Sequence, residues 1–242
     1  MLEELKVPFE EVIIDLDTPR TAEYLKINPR GLVPALDFNG DIIIESAIVS
    51  NFLADQYPSH LLPPSNAPGG ALQRARIALF VDSYVNKVQT PLFKLFTAET
   101  EEAREQIVDS AVEALLKEVE PLLADAKPFF GGSEKLTQAE VSCALVAGVT
   151  FVFVKCDIDG CFLVVQVLTG SFILRLESLT GTGDLFPKSL WTKIQERAPN
   201  FSKWAAAVNA HPSVRSIYNE KEIIDSTRSR IEKFRAMAKA NA

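Results

Sequence analysis

Two short stretches carry the residues whose types and spacing could do chemistry. They are Asn28-Pro29-Arg30-Gly31-Leu32-Val33-Pro34-Ala35-Leu36 and Ile44-Glu45-Ser46-Ala47-Ile48. Val33 precedes a proline and is driven to extended backbone, and a cis Val33–Pro34 bond suits so tight a turn. An extended residue there offers an unpaired main-chain N–H and C=O, which can pair with a peptide ligand as a strand does. Ser46 opens a helix, whose first N–H groups and dipole form a site for an anion. Glu45 beside it could hold an ammonium group. Together these groups would recognise a carboxylate next to an amine on a small extended peptide. The same residues also read as a plain hairpin followed by an N-capped helix.

Other reactive chemistry is sparse. Cys143, Cys156 and Cys161 have no C-x-x-C spacing, and His60 and His211 stand apart beside prolines or turns. That pattern argues against a zinc site. Asp157-Ile158-Asp159-Gly160 supplies two aspartates and then stops, short of a calcium loop. No metal is expected. A net charge of −7 argues against a nucleic-acid surface, which needs clustered Lys and Arg. The longest apolar stretch, residues 143–154, is too short to span a bilayer. Met1-Leu2-Glu3-Glu4 lacks the basic start and apolar core of a signal peptide. With 242 residues, 47% hydrophobic and 24% charged, the chain reads as a soluble, acidic, cytoplasmic protein of one large or two small domains.

The candidate residues need elements to hold them. Residues 10–15, Glu-Glu-Val-Ile-Ile-Asp, read as a buried strand. A short helix near residues 22–25 follows Thr18-Pro19-Arg20. Asn28-Pro29-Arg30-Gly31 is a turn. Strands over residues 35–38 and 41–44 flank Asn39-Gly40, a strong hairpin signal. Ser46 is the expected N-cap of a helix to about Gln56, with Ile48, Phe52 and Leu53 on one face. Residues 58–70 hold four prolines and two glycines and read as a linker.

Helical periodicity dominates beyond it. Residues 71–96 carry Leu72, Ile77, Leu79, Phe80 and Val81 on one wide stripe, with a kink expected at Pro91. Residues 101–126 read as an amphipathic helix, and Thr137-Gln138-Ala139-Glu140 is a capping box. Two short helices, residues 200–210 and 213–219, flank Pro212, and a polar, basic stretch follows. The expected division is 1–58, a linker at 59–70, a helical part at 71–224 and a solvated polar tail at 225–242.

Taken together, Asn-Pro-x-Gly-x-Val-Pro-x-Leu and Glu-Ser-x-x-Ile resemble the glutathione transferase family. The likeness extends through Tyr57-Pro58, the Arg74 helix, the Thr137 capping box and Pro199-Asn200-Phe201 to His211-Pro212-Ser213-Val214. It implies an α+β thioredoxin-like N-terminal domain that binds glutathione and an all-α C-terminal helical bundle that supplies a second-substrate pocket. By that resemblance Val33 pairs its backbone with the cysteinyl unit of glutathione and Pro34 is the cis proline. Glu45 and Ser46 hold the γ-glutamyl end. Arg20 falls where some omega-like members place a basic residue near the glycine carboxylate, and otherwise reads as a surface arginine in a turn. The omega-like, cysteine-type branch is the one expected. Its reactions are thiol transfer and reduction, with glutathione as substrate, a small-molecule second substrate and a homodimeric, detoxifying setting. The rival function is a non-catalytic binding or scaffolding module on the same fold.

The chain departs from this family pattern in two places. Family members begin with a strand and a helix before the equivalent of Val7-Pro8-Phe9, and place the catalytic Cys, Ser or Tyr after that strand. Here the first strand and helix are expected to be missing, no catalytic residue is assigned, and little or no transfer activity is expected. The missing strand would leave a gap with unpaired edges between residues 10–15 and the hairpin. Second, residues 141–166 interrupt the helix that the capping box opens, and Leu168-Thr169-Gly170-Ser171-Phe172 looks like its continuation. The favoured reading is a retained intron of 26 codons, with a Val-Ser donor-like start and a Gln acceptor-like end. The alternative is a genuine insertion, a strand pair around residues 157–160.

Overall fold

The computed structural model describes residues 1–14, 18–143, 151–155, 163–164, 172–215 and 219–240. Near the start, α1 (Leu2–Leu5) leads to β1 (Glu10–Ile14) and then α2 (Ala22–Ile27). Thr21 caps α2, its hydroxyl accepting from Tyr24 N at 3.2 Å. The hairpin of β2 (Ala35–Phe38) and β3 (Asp41–Ile44) forms as expected. Asn39 and Gly40 both take positive φ, 54° and 91°, the pair of values that a two-residue turn matching strand twist requires. After it, α3 (Ser46–Gln56) lays Val49 and Leu53 on Leu36, Leu2 and Val7. Phe52 packs edge-on against Phe38 at 4.8 Å, while Ile48 faces outward.

The sheet is where expectation and structure part. Its order is β1-β4-β5-β2-β3, antiparallel throughout, where β4 is Phe151–Lys155 and β5 is Leu163–Val164. The gap expected between β1 and the hairpin is thus filled by β4 and β5. β1 pairs with β4 from Glu10↔Lys155 to Ile14↔Phe151, and β5 pairs with β2 at Ala35↔Val164 and Leu36↔Leu163. The strand expected as buried is not: Glu10 and Val12 are exposed and Ile14 is half-buried. Its backbone groups still find partners, and Phe-Val-Phe-Val has the β-branched and aromatic composition to supply them. The part after the linker is therefore largely helical rather than all-α. Cys156, Cys161, residues 157–160 with the strand pair expected around them, and residues 165–171 lie outside the described residues.

The linker is pinned rather than loose. Leu61 and Leu62 are buried, Ser59 bridges Leu62, and Leu61 O accepts from Gln138 N at 2.7 Å. Gly70 opens α4 (Gly70–Asp82) where only glycine fits, since a Cβ would lie 2.1 Å from Pro64 O. The helix continues as π-type turns over Ser83–Gln89, then α5 (Thr90–Leu92) and a 3₁₀ turn, Phe93–Phe96. The irregularity begins upstream of Pro91 because proline lacks the N–H that an α-turn uses. On α4, Ile77 and Phe80 are buried, but Leu72 and Leu79 are 68% and 54% exposed and do not share the buried stripe.

The remaining helices are α6 (Glu101–Glu118), α7 (Gln138–Cys143), α8 (Phe172–Thr182), α9 (Lys188–Arg197), α10 (Pro199–Ala210), α11 (Pro212–Arg215) and α12 (Glu220–Ala240). Most of residues 225–242, expected as a solvated tail, fall within α12, which buries Thr227 and Ile231. Phe80 anchors the core against Phe130 at 4.7 Å and Trp204 at 5.3 Å. Glu140 of the capping box is buried and serves three elements. It accepts from Thr137 N (2.6 Å), Thr137 Oγ1 (2.7 Å), Phe130 N (2.8 Å) and Trp204 Nε1 (2.7 Å). Glu120 similarly caps α10, accepting from Asn200 N and Phe201 N, both at 2.8 Å.

Glu4 ties α1 to the far end of the chain. It accepts a short hydrogen bond from Ser213 Oγ, whose oxygen lies 2.8 Å from His211 Nδ1, and meets His60 Nε2 at 2.9 Å. Burial pushes the Glu4 carboxyl up. The Ser213 hydroxyl, the His211 charge and the His60 contact outweigh it and hold the group below its ordinary 4.5.

Two outcomes follow from this architecture. Deleting residues 141–166 should lower Tm, because β1 loses its described ladder partner β4 and the buried Ala35 and Leu36 of β2 lose β5. Buried unpaired backbone groups cost on the order of 1–3 kcal/mol each. A deletion that instead raises Tm and soluble yield contradicts the observed sheet. A folded pKa below the unfolded one makes Glu4 stabilising above its unfolded value, an effect lost as pH falls through the lowered value. Glu4→Gln should therefore melt below wild type at about pH 5.5, with the difference shrinking as pH drops below about 4.5. A difference that stays constant in acid contradicts the assignment.

Candidate functional site

The hairpin register assembles the candidate residues. Ala35↔Ile44 is the last pair of the β2–β3 ladder, so Val33-Pro34 entering β2 and Glu45-Ser46 leaving β3 lie at the same end. The Val33–Pro34 bond is cis. Pro34 is buried and has no N–H, which closes the ladder at this end. Among the described residues, no hydrogen bond occupies the N–H or C=O of Val33.

The loop before Val33 is held from inside. Asn28, only 1% exposed, donates from Nδ2 to Leu32 O at 2.6 Å and accepts from Arg30 N at 3.1 Å. The Tyr24 hydroxyl donates a short hydrogen bond to the same Leu32 carbonyl. Burial pushes the Tyr24 phenol up, against the opposing pull of Asn28 and the Arg20 charge, so it stays protonated and donating at neutral pH. Gly31 takes φ +62, and a Cβ there would lie 3.2 Å from Arg20 Cγ. Arg20 lies over that glycine, donating from Nε to Gly31 O at 2.9 Å and from Nη1 to Thr18 O at 3.1 Å.

One element of the expected site is corrected. Glu45, not Ser46, is the N-cap of α3, with φ 74° and ψ 119° and no capping bond from its side chain. Positive φ at Glu45 turns the chain sharply out of β3 and makes Ser46 the first residue inside the helix. Among the described residues the Ser46 hydroxyl has no hydrogen-bond partner. The Glu45 carboxylate meets Arg30 Nη1 at 2.5 Å, with both side chains exposed, 51% and 61%. That pair is screened and contributes little to stability, but it joins the Asn28–Gly31 turn to the start of α3. Arg30, Tyr24 and Asn28 were not singled out as site residues in the sequence. The visible signal was the Asn-Pro-Arg-Gly turn itself, since a turn Asn commonly bonds backbone two residues on.

Beside Ser46 lies a cleft of about 760 Å³ between α3, α4, the π-type turns and α7. Ala78, Val81 and Val85 form an apolar wall, and Ser46, Asn51 and Asp82 bring polar groups. Its polar groups are largely paired with each other. Arg74 forks onto Asp55 at 2.8 and 3.0 Å, Gln138 donates to Asn51 at 2.7 Å, and Asn86 donates to Asp82 at 2.7 Å. Of the expected site residues only Ser46 lines this cleft. Arg20, Val33, Pro34 and Glu45 belong to the neighbouring hairpin end. Among the described residues, no group of three or more His, Cys, Asp or Glu is placed to hold a metal, and no helix is long and apolar enough to cross a membrane.

Residues 1–56 match the family model for the glutathione S-transferase N-terminal domain. A glutathione S-transferase (GST-4.5) of Xanthomonas campestris pv. campestris is 33% identical over 88 residues, which is 36% of this chain and 41% of that protein. The matched regions span less than half the length of this and other curated relatives. Among solved structures, rice GST1 in complex with glutathione superposes with TM-score 0.66 at 20% identity, covering 91% of this chain and 83% of that one. Glutathione transferase Omega 1C from Trametes versicolor gives 0.65 at 19% identity, covering 90% and 84%. At such identity the likeness is one of fold: a thioredoxin-like N-terminal domain with a small sheet and a largely helical C-terminal domain. Residues 1–56 are thus similar to the glutathione S-transferase N-terminal domain, and along its length the chain has the fold of these solved structures.

Proposed function

We propose that this chain binds glutathione at the hairpin end, beside the cleft that would take a small-molecule second substrate, and that with no catalytic residue assigned it shows little or no transfer activity. The observation that carries this is the open main chain of Val33, set beside the first turn of α3. The cysteinyl unit pairs with Val33 next to cis Pro34. The γ-glutamyl carboxylate takes the α3 N-terminus and Ser46, and its ammonium takes Glu45. The glycine carboxylate lies toward Arg20. The branch assigned is omega-like, on the position of Arg20, with thiol transfer or reduction as its chemistry. A cytoplasmic homodimer is the setting usual in this family. The division we assign is 1–58, linker 59–70, 71–224 and 225–242.

For residues 141–166, the retained-intron reading rests on the donor-like Val-Ser and on the apolar helix pattern resuming at Leu168. The pairing of β4 and β5 with β1 and β2 favours a genuine insertion. The transcript sequence across the segment decides between them.

Calorimetric titration of the full chain with glutathione tests the site. The double variant Glu45→Ala, Ser46→Ala should bind roughly ten-fold or more weakly, because bonds to charged groups are worth about 1.5–3 kcal/mol. Its Tm should change little, since an exposed ion pair contributes at most about 1 kcal/mol. A wild type that does not bind glutathione, or a double variant that binds equally well, overturns the reading. Turnover with thiol-transfer substrates then separates a transferase from a binding module, which would bind without turning over.

A further inference from the structure

We propose that Tyr24 and Asn28 are positioning residues that aim the main-chain N–H of Val33 at the ligand. The inference rests on the reading of Val33 as the residue that pairs with glutathione. Its physical basis is the planarity of one peptide unit. The carbonyl of Leu32 and the N–H of Val33 belong to the same rigid trans peptide plane and point in opposite directions. Two donors converge on that carbonyl from the buried side, the Tyr24 hydroxyl and Asn28 Nδ2. Holding the oxygen inward turns the N–H outward, where among the described residues it meets no acceptor.

The two donors are themselves fixed. Tyr24 and Asn28 are both buried, at 3% and 1% exposure. They sit one turn apart across the end of α2, with Asn28 N donating to Tyr24 O at 2.8 Å. Asn28 also receives Arg30 N on its oxygen and donates with its amide, so its orientation is set from both sides. Gly31 N donates to Asn28 O at 2.8 Å and closes the turn that delivers Leu32. A loop needing only to be stable could satisfy Leu32 O with one donor or with water. Two buried donors on one carbonyl restrict rotation of the plane, and that restriction fixes the direction of the Val33 N–H.

The test is a cycle that couples one protein change to one ligand change. The full-length chain and Tyr24→Phe, which keeps the ring in the core, are titrated with glutathione and with an analogue. In the analogue an E-alkene replaces the cysteinyl–glycyl amide, so it keeps the shape but lacks the oxygen that Val33 N–H would meet. Wild type should bind the analogue about ten-fold more weakly than glutathione, and Tyr24→Phe should lose about five-fold toward glutathione. The variant should then discriminate between the two ligands by less than about three-fold. Asn28→Ser, read the same way and alongside its Tm, is the second variant. If either folded variant keeps the full wild-type discrimination, its side chain acts on stability alone and the inference is overturned. If wild type fails to bind glutathione, both the inference and the reading beneath it fall. If wild type binds glutathione but does not discriminate, only the inference falls.

Discussion

The carbonyl of Leu32 is the constraint on which the site depends. It must be satisfied because it is drawn inward beneath the turn, and Tyr24 and Asn28 satisfy it from α2. That arrangement sets the turn 28–31, the entry into β2 and hence the place of Val33. Because β2 and β3 are locked in register from Ala35↔Ile44, it also sets Val33 relative to Glu45 and the start of α3. Arg30 and Arg20 close the same loop from outside, one through Glu45 and the other through Gly31 O. Four of the five expected ligand residues are tied to this loop by a named contact or by sitting within it, and Ser46 follows by one peptide bond.

The helical part is held together by polar contacts as well as by packing. Glu140 gathers Thr137, Phe130 and Trp204, and Arg104 donates to Leu95 O at 3.2 Å and Leu185 O at 3.0 Å. Each is a buried charge with multiple partners, the condition under which burial of a charge is tolerable. Gln138 then reaches across to Asn51 on α3. The helix that carries the Ser46 end of the site is thus braced by the same short segment that the capping box starts. The strands β4 and β5 add a second tie, since they enter the sheet from beyond that segment.

Local chemistry was readable and tertiary choice was not. Asn39-Gly40 has one common structural use between apolar runs, and it has that use here. The capping box reads from two side chains three residues apart; Glu140 accepts from Thr137 N as expected, while the Thr137 hydroxyl accepts from Ala139 N. By contrast, the cap of α3 moved by one residue because Glu45 adopts positive φ, a conformation that sequence assigns to Gly or Asn. Leu72 and Leu79 match a helical stripe, but which stripe faces the core depends on where the other helices lie. Pairing of β1 with residues 151–155 was not legible, since strand partners distant in sequence leave no periodic trace. Tyr24 and Asn28 are ordinary turn and helix residues until the fold brings both to one carbonyl.

Amide hydrogen exchange at Val33 is the measurement closest to the central claim. With its N–H open, that amide should exchange fast in the free protein despite sitting beside buried Pro34 and Ala35. Saturating glutathione should slow it strongly while leaving the amides of Asn39 and Gly40 at the opposite end of the hairpin unchanged. Exchange at Val33 that is already slow without ligand, or that is unaffected by glutathione, would contradict the account.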